Sequence, residues 1–445
     1  MKISKFFISF DYILFFSTIL LTILSIFFIY SANLSKPELH YDYIKQIIFA
    51  IIGLTFLIAI LFLPTKYLTS LSLWFYIILI LGLIITLFFP YVKGQRRLSI
   101  LGFSLQFSEF MKIATILLLS TFLAKKTEEE KKKLETYLKA ILIVIIPVGL
   151  ILLQPDLGTM LVFIPILLAI CFMAGIKKRY LLYTILFIFA VAFIPTITAI
   201  NHLFFNNENE IINLILNIKY ITIFLTIILI TIIISIFALF NIIKGIDERF
   251  RIFFYWYVFF ASIILIGITI SFPVNKYVLK EYQRDRLLIF FNPEFDKKGK
   301  GFHIIQSKNT IGNGGLLGKG WTKGDLTQNY FLPEQATDFI YPVIAEEMGF
   351  IGSLLIVLLY SLIFFRGLTI LFNAKDYINA YIVTGILAML LFHILESMGM
   401  CLGIMPITGI PLPFLSYGGS FLITSYIAIG ILMNINMNRY NLYDY

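Results

Sequence analysis

The chain has 445 residues, of which 60% are hydrophobic and 13% charged, and its formal net charge is +10. Soluble domains carry roughly 45–50% apolar and about 25% charged residues, so a water-soluble globule of this composition is excluded. The apolar residues come in blocks near the ~20 residues that a helix needs to cross a ~30 Å hydrocarbon core, which also excludes the ~10-residue alternating segments of a β-barrel. The expected fold is all-α: a polytopic integral membrane protein with about twelve transmembrane helices. Cys171 and Cys401 lie in or beside apolar runs and suggest no disulfide framework. His40, His202, His303 and His393 are scattered without metal-ligand spacing. The positive charge fits loops that orient helices better than it fits nucleic acid.

In chain order, the spans are expected at residues 12–30, 44–63, 68–89, 105–124, 137–153, 157–175, 180–200, 218–241, 253–272, 339–365, 377–403 and 414–433. The first is long enough to span and lacks a small-residue cleavage site, so it reads as a retained helix. Four loops carry clustered cations: Lys125 to Lys133, Lys177 to Arg179, Lys244 to Arg251, and Arg366 with Lys375. With an even number of spans and a cytoplasmic Met1, all four fall on the cytoplasmic side, as does the tail with Arg439. Residues 273–338 then form one large loop on the outer side. That loop keeps Lys276, Lys280, Arg284, Arg286, Lys297, Lys298, Lys300, Lys308, Lys319 and Lys323. Long loops escape the positive-inside rule. Their cations suit either a solvated face or an anionic substrate at the outer surface.

Polar groups at membrane depth are costly and usually have a partner or a job. Glu109 and Lys112 are three apart on one helix face, the acid preceding the base. They read either as an internal ion pair or as substrate contacts. Glu334, Thr337, Asp338, Glu346 and Glu347 open the span after the large loop. Thr337 or Asp338 would suit an N-cap just before Phe339. Asp338 also sits where the aqueous loop meets the membrane. A carboxylate there suits a general base on a sugar hydroxyl or a divalent-cation ligand. The glycine-rich run 312–320 fails the nucleotide phosphate-loop pattern, because Gly320 stands where Ser or Thr should follow Lys319. Its glycines suit tight turns and close backbone approach. Near the end, Pro406, Gly409, Pro411, Pro413, Ser416, Gly418 and Gly419 interrupt two apolar runs. Such broken backbone is tolerated where it is buried or lines a cavity.

Taken together, these segments resemble the SEDS family of shape, elongation, division and sporulation proteins over most of the chain. The motifs are Gln95-Arg96, Gln106-Phe107-Ser108-Glu109 with Lys112, and Gln154-Pro155-Asp156-Leu157-Gly158-Thr159. They continue with Tyr282-Gln283-Arg284, Asn292-Pro293-Glu294, His303-Ile304-Ile305-Gln306-Ser307-Lys308 and residues 314–321. Leu332-Pro333-Glu334, Thr337-Asp338-Phe339, Glu346-Glu347-Met348-Gly349 and residues 406–420 complete the set. The 303–308 and 318–321 runs look more like the elongation branch than the division branch. The chain departs from the family at Arg97, where a Trp is usual, at Phe107 in place of Pro, and at Ser397 beside an unusual Glu396. The family commonly has ten spans. Residues 201–272 read as an added helix pair within a single membrane domain, apolar and peripheral to catalysis.

The resemblance implies a peptidoglycan glycosyltransferase that polymerises lipid II at the outer face of the bacterial inner membrane during elongation. It implies Asp338 as the catalytic carboxylate, with Arg96, Glu109, Lys112, Gln306, Lys308, Lys319, Glu334 and Ser416 as substrate-binding residues. A divalent cation, magnesium or manganese, at Asp338 is compatible with this chemistry, and no organic cofactor is implied. The implied partners are lipid II, a class B penicillin-binding protein that cross-links the strands, other elongation-complex membrane proteins and membrane lipids, with no nucleic acid. A lipid II flippase and a non-catalytic scaffold are the rival readings. Transport folds often carry internal repeats, and none is evident here.

Overall fold

Among the described residues, four helices begin where a polar side chain, Asp11, Thr127, Asp156 or Asn209, accepts from the first backbone donors. The computed structural model describes residues 9–36, 38–88, 91–92, 95–96, 98–100, 103–154, 156–205, 208–239, 248–279, 281–296 and 299–438. Arg97, Pro155, Lys244, Lys280, Lys297, Lys298 and Arg439 lie outside the described residues. Helix α1 (Tyr12–Asn33) is capped by Asp11, whose carboxylate accepts from Leu14 N at 3.1 Å. The same carboxylate receives a two-pronged bond from Arg366, at 2.7–3.1 Å. Helices α2 (Asp42–Leu61), α3 (Thr65–Ser70) and α4 (Ser72–Thr86) follow.

Two small antiparallel hairpins come next: β1 (Tyr91–Val92) with β2 (Gln95–Arg96), and β3 (Leu98–Ile100) with β4 (Phe103–Leu105). They are a minor addition to the expected all-α fold. A hairpin pairs its own backbone groups, and these two join the apolar run of α4 to the one that follows. Helices α5 (Phe107–Ala124), α6 (Glu128–Lys131), α7 (Leu134–Leu153) and α8 (Leu157–Met173) continue the first compact unit. Among the described residues, ten helices are long and apolar enough to cross a membrane, and α4 and α8 are shorter apolar helices. The chain is a multi-pass membrane protein.

Residues 178–302 form a second compact unit. It holds α9 (Lys178–Phe205), α10 (Glu210–Leu216), α11 (Ile218–Leu239), α12 (Glu248–Pro273) and α13 (Glu281–Phe291). The helix pair expected at 201–272 is the middle of this unit. Pro195 inside α9 has no N–H to offer the carbonyl of Val191. Ser271 of α12 donates to that carbonyl at 2.6 Å and accepts from Ile194 N at 3.2 Å. Ile228, Ile232 and Ala261 form the apolar seam between α11 and α12, beside a Thr231–Tyr257 hydroxyl pair at 2.6 Å.

Residues 273–338, expected as one large outer loop, hold several helical segments. The chain leaves α12 through a π-helical turn (Val274–Val278), then forms α13, a 3-10 turn (Pro293–Asp296), α14 (Lys300–Asn313) and the short α15 (Asp325–Gln328). Helix α16 (Ile340–Phe372) outlasts its expected end and is interrupted at Gly349, with φ 67° and ψ −162°. The interruption frees backbone groups that a bilayer cannot satisfy. The glycine-rich run supplies them: Lys319 N and Gly320 N donate to Glu346 O and Glu347 O, both at 2.9 Å. In return, Phe350 N and Ile351 N donate to Gly315 O at 2.9 Å and Leu316 O at 3.2 Å. Helix α17 (Tyr377–Leu402) and helix α18 (Gly419–Asn438) finish the first unit. The last helix starts five residues later than expected, because residues 406–418 are an irregular buried segment. It is the most buried span, at 94%, and packs most closely on α2, where a side chain at Gly53 would meet the Tyr426 ring at 2.5 Å. Small residues at such crossings let helices approach.

Candidate active site

Three non-regular pieces meet above the helices of the first unit: the turn 334–339, the end of α17 and the segment 404–418. The turn is tight because Glu334, with φ 53°, offers one carbonyl to three donors: Thr337 N, Asp338 N and Phe339 N at 3.2–3.3 Å. The N-cap of α16 is Phe339, with no side-chain cap bond. The expected capping role of Thr337 or Asp338 is therefore corrected: Phe339 holds the N-cap position, and both residues belong to the turn before it. Tyr417 N ties the turn down through Ala336 O at 2.8 Å, and the Cys401 thiol points at Asp338 O at 3.7 Å. The half-buried Asp338 carboxylate projects over Gly409, where a Cβ would lie 3.1 Å from Oδ2. Gly409 has φ 75°, a conformation that suits glycine.

Helix α14 meets the same junction. Ser307 donates to Cys401 O at 2.7 Å, and His303 lies edge-on to Phe339. The exposed Lys308 crosses the end of α17 at Gly403, a left-handed cap with φ 72°. A Cβ there would meet its Nζ at 2.7 Å. The ammonium thus sits at the negative end of a helix dipole. Gln306 is half-buried on the same helix. Asp338 and Glu334 thus share one turn, and Gln306 and Lys308 lie on the helix that meets the end of α17 beside it.

Other expected site residues lie apart from this junction. Lys319 is in the loop that patches α16, 4.0 Å from Asp325. Ser416 is buried, and its hydroxyl accepts from Leu412 N at 2.9 Å, which closes a turn. Arg96 is on β2 opposite Tyr91. Its side chain is not described. Glu109 and Lys112 form the internal pair that their spacing allowed. They are 4% and 0% exposed, and Lys112 Nζ is 2.7 Å from Glu109 Oε2. Sequence reasoning missed the third member, His393, whose Nε2 is 2.9 Å from the same ammonium, with the Phe421 ring beside both. A histidine inside an apolar helix was the available signal. Buried as they are, these groups tie α5 to α17.

The segment 404–418 is satisfied from several helices. Thr408 donates to Glu396 at 2.8 Å, Ser25 to Leu415 O at 2.8 Å and Gln46 to Ser416 O at 3.3 Å. Glu396, unusual in sequence, is thus a strut for the hairpin under Asp338. Among the described residues, no group of three or more His, Cys, Asp or Glu has the placement to hold a metal ion.

A family model described as cell cycle protein (FtsW, RodA, SpoVE) matches residues 11–214 and 206–441. The peptidoglycan glycosyltransferase RodA of Treponema pallidum (strain Nichols) is 36% identical over 434 residues, covering 97% of this chain and 98% of that protein. Stage V sporulation protein E of Bacillus subtilis (strain 168) is 29% identical over 446 residues, with coverage of 97% and 98%. A chain from a solved peptidoglycan synthase complex, described as coordinating polymerization and crosslinking, superposes with a TM-score of 0.66 at 25% identity. That match covers 97% of this chain and 98% of the other. The rod shape determining protein RodA of Thermus thermophilus shares the fold, with a TM-score of 0.58 at 20% identity over 97% of this chain and 98% of that one. With a family model spanning nearly the whole chain and a full-length relative, the chain belongs to the FtsW/RodA/SpoVE family of cell cycle proteins, the SEDS family its motifs resemble.

Proposed function

We propose that this chain is a peptidoglycan glycosyltransferase that joins lipid II units into glycan strands at the outer face of the bacterial cytoplasmic membrane, in the service of cell elongation. The activity named for its full-length relative supports the reaction class. The observation that carries the site is the Asp338 carboxylate, held over Gly409 and facing a junction that also carries Lys308. Ten long and two shorter apolar helices fit twelve crossings. Both termini then lie in the cytoplasm and residues 273–338 outside.

Lipid II has a polyprenyl tail, a diphosphate and a disaccharide-peptide. In the reaction, the sugar 4-hydroxyl of one unit attacks the anomeric carbon of another. The bond from that carbon to the diphosphate oxygen breaks, and the polyprenyl diphosphate leaves. Asp338 takes the hydroxyl proton. Lys308 and Arg96 neutralise the leaving diphosphate, with Gln306 and Glu334 orienting polar groups nearby. One displacement converts the α-linked diphosphate into a β-linked glycan, with no covalent sugar–enzyme intermediate. A magnesium or manganese ion would have Asp338 as its protein carboxylate and diphosphate oxygens and water as its other ligands, supplying further charge neutralisation. A class B penicillin-binding protein would supply cross-linking beside it.

Purified protein incubated with lipid II in detergent tests this reading. A polymerase yields glycan ladders with no membrane to cross. A flippase moves lipid II between leaflets of a vesicle and makes no ladder. A scaffold does neither, and either of these two results would overturn the proposal.

A further inference from the structure

Glu346 is fully buried, at 0% exposure, yet its carboxylate meets four donors. Oε1 accepts from Asn313 Nδ2 at 2.7 Å and from Leu326 N at 2.9 Å. Oε2 accepts from Thr327 N at 2.9 Å and Thr327 Oγ1 at 2.6 Å. Gly324 leaves the space for it, since a Cβ there would lie 2.6 Å from Oε2. Fully satisfied buried carboxylates of this kind are rigid, and their charged hydrogen bonds are strong.

Two arms leave this hub. Asn313 is the last residue of α14, the helix that carries Gln306 and Lys308. Thr327 holds the other arm: its carbonyl accepts from the buried Gln335 Nε2 at 3.2 Å. Gln335 belongs to the turn that carries Asp338. That turn in turn leads directly into α16, on which Glu346 sits. The covalent path and the hydrogen-bonded path close a ring.

From this ring we infer that Glu346 is a positioning residue, which sets the Asp338 carboxylate against the Lys308 ammonium by gripping the turn of one and the helix of the other. It never touches substrate. A displacement of about 1 Å at a reacting group costs on the order of 100-fold in rate, so a slack ring slows catalysis without removing a contact to lipid II. The inference rests on Asp338 being the base.

The test compares the full-length protein with Glu346→Gln, Gln335→Ala, their combination and Asp338→Asn, each with lipid II in detergent. Glu346→Gln puts an amide N–H₂ against backbone donors and is expected to lower kcat about 100-fold while KM stays within about threefold. Gln335→Ala cuts one arm far from Glu346, and its kcat is expected to fall about tenfold. The combination is expected to be no slower than Glu346→Gln alone, since one ring cannot be opened twice. Unchanged kcat in folded Gln335→Ala overturns the ring, even if Glu346→Gln fails to fold. A loss confined to KM or to thermal stability, or losses that simply multiply, overturns it as well. Asp338→Asn separates this from the broader reading. If that variant is inactive while the ring variants are fully active, only the positioning inference falls. If it polymerises normally, the base assignment falls and takes the inference with it.

Discussion

At Gly409 the absent side chain does two things: it allows φ 75° and leaves room for Asp338 Oδ2. A Gly409→Ala substitution is expected to cost about 1–2 kcal/mol in backbone strain and to push the carboxylate aside, with polymerisation slowed on the order of 100-fold. Initial rates and thermal unfolding measured together check it, and a folded variant with the normal rate would count against the assigned geometry. Glu109 and Lys112 make a different kind of claim. Removing one partner strands a buried charge at a cost of about 3–5 kcal/mol, whereas removing both costs less. Thermal unfolding of Glu109→Gln, Lys112→Met and the double variant measures the coupling. Strictly additive losses would mean that each meets something other than its neighbour. This pair was legible in the sequence because helical spacing places i and i+3 on one face. His393 was not, since 281 positions separate it from Lys112. The turn that Ser416 closes was not legible, because a serine in a glycine-rich hairpin looks the same in sequence whether it binds a ligand or holds its own backbone.

Among the elements, hydropathy located the spans well, because a bilayer permits few alternatives to a long apolar helix. It missed the break in α16 at Gly349, since the donors and acceptors that complete the broken backbone lie in residues 315–320, some thirty positions away. The turn at Asp338 was visible only as a cluster of acids. Its shape depends on Tyr417 and Gln335, which no local pattern connects. In the second unit, Ser271 completes the carbonyl that Pro195 leaves open in α9. Ser271→Ala should therefore destabilise that unit by about 1–3 kcal/mol, the cost of an unsatisfied buried acceptor. A shift in the lower-temperature transition of a two-step melt, or faster amide exchange within α9, is the expected sign. No change in either would show that the carbonyl finds another partner. Removal of residues 201–272 would delete Ser271 as well, so the added helices are integral to their own unit.

At the scale of the whole molecule, sidedness follows from parity and loop charge, and it can be checked directly. Cys171 and Cys401 are buried, so introduced cysteines dominate labelling by an impermeant maleimide. In right-side-out vesicles Lys323→Cys should label at once, and Lys132→Cys only after permeabilisation. The reverse pattern would invert the topology and place Asp338 on the wrong face for lipid II polymerisation. The measurement that bears most directly on the central claim is the rate of glycan-strand formation by Asp338→Asn at saturating lipid II, with folding and lipid II binding measured on the same sample. A general base contributes about 10²–10⁴-fold, so the expected result is a loss of at least about 100-fold with normal melting and binding. A folded, lipid-binding variant that still makes strands at close to the wild-type rate would contradict the assignment of Asp338 as the base.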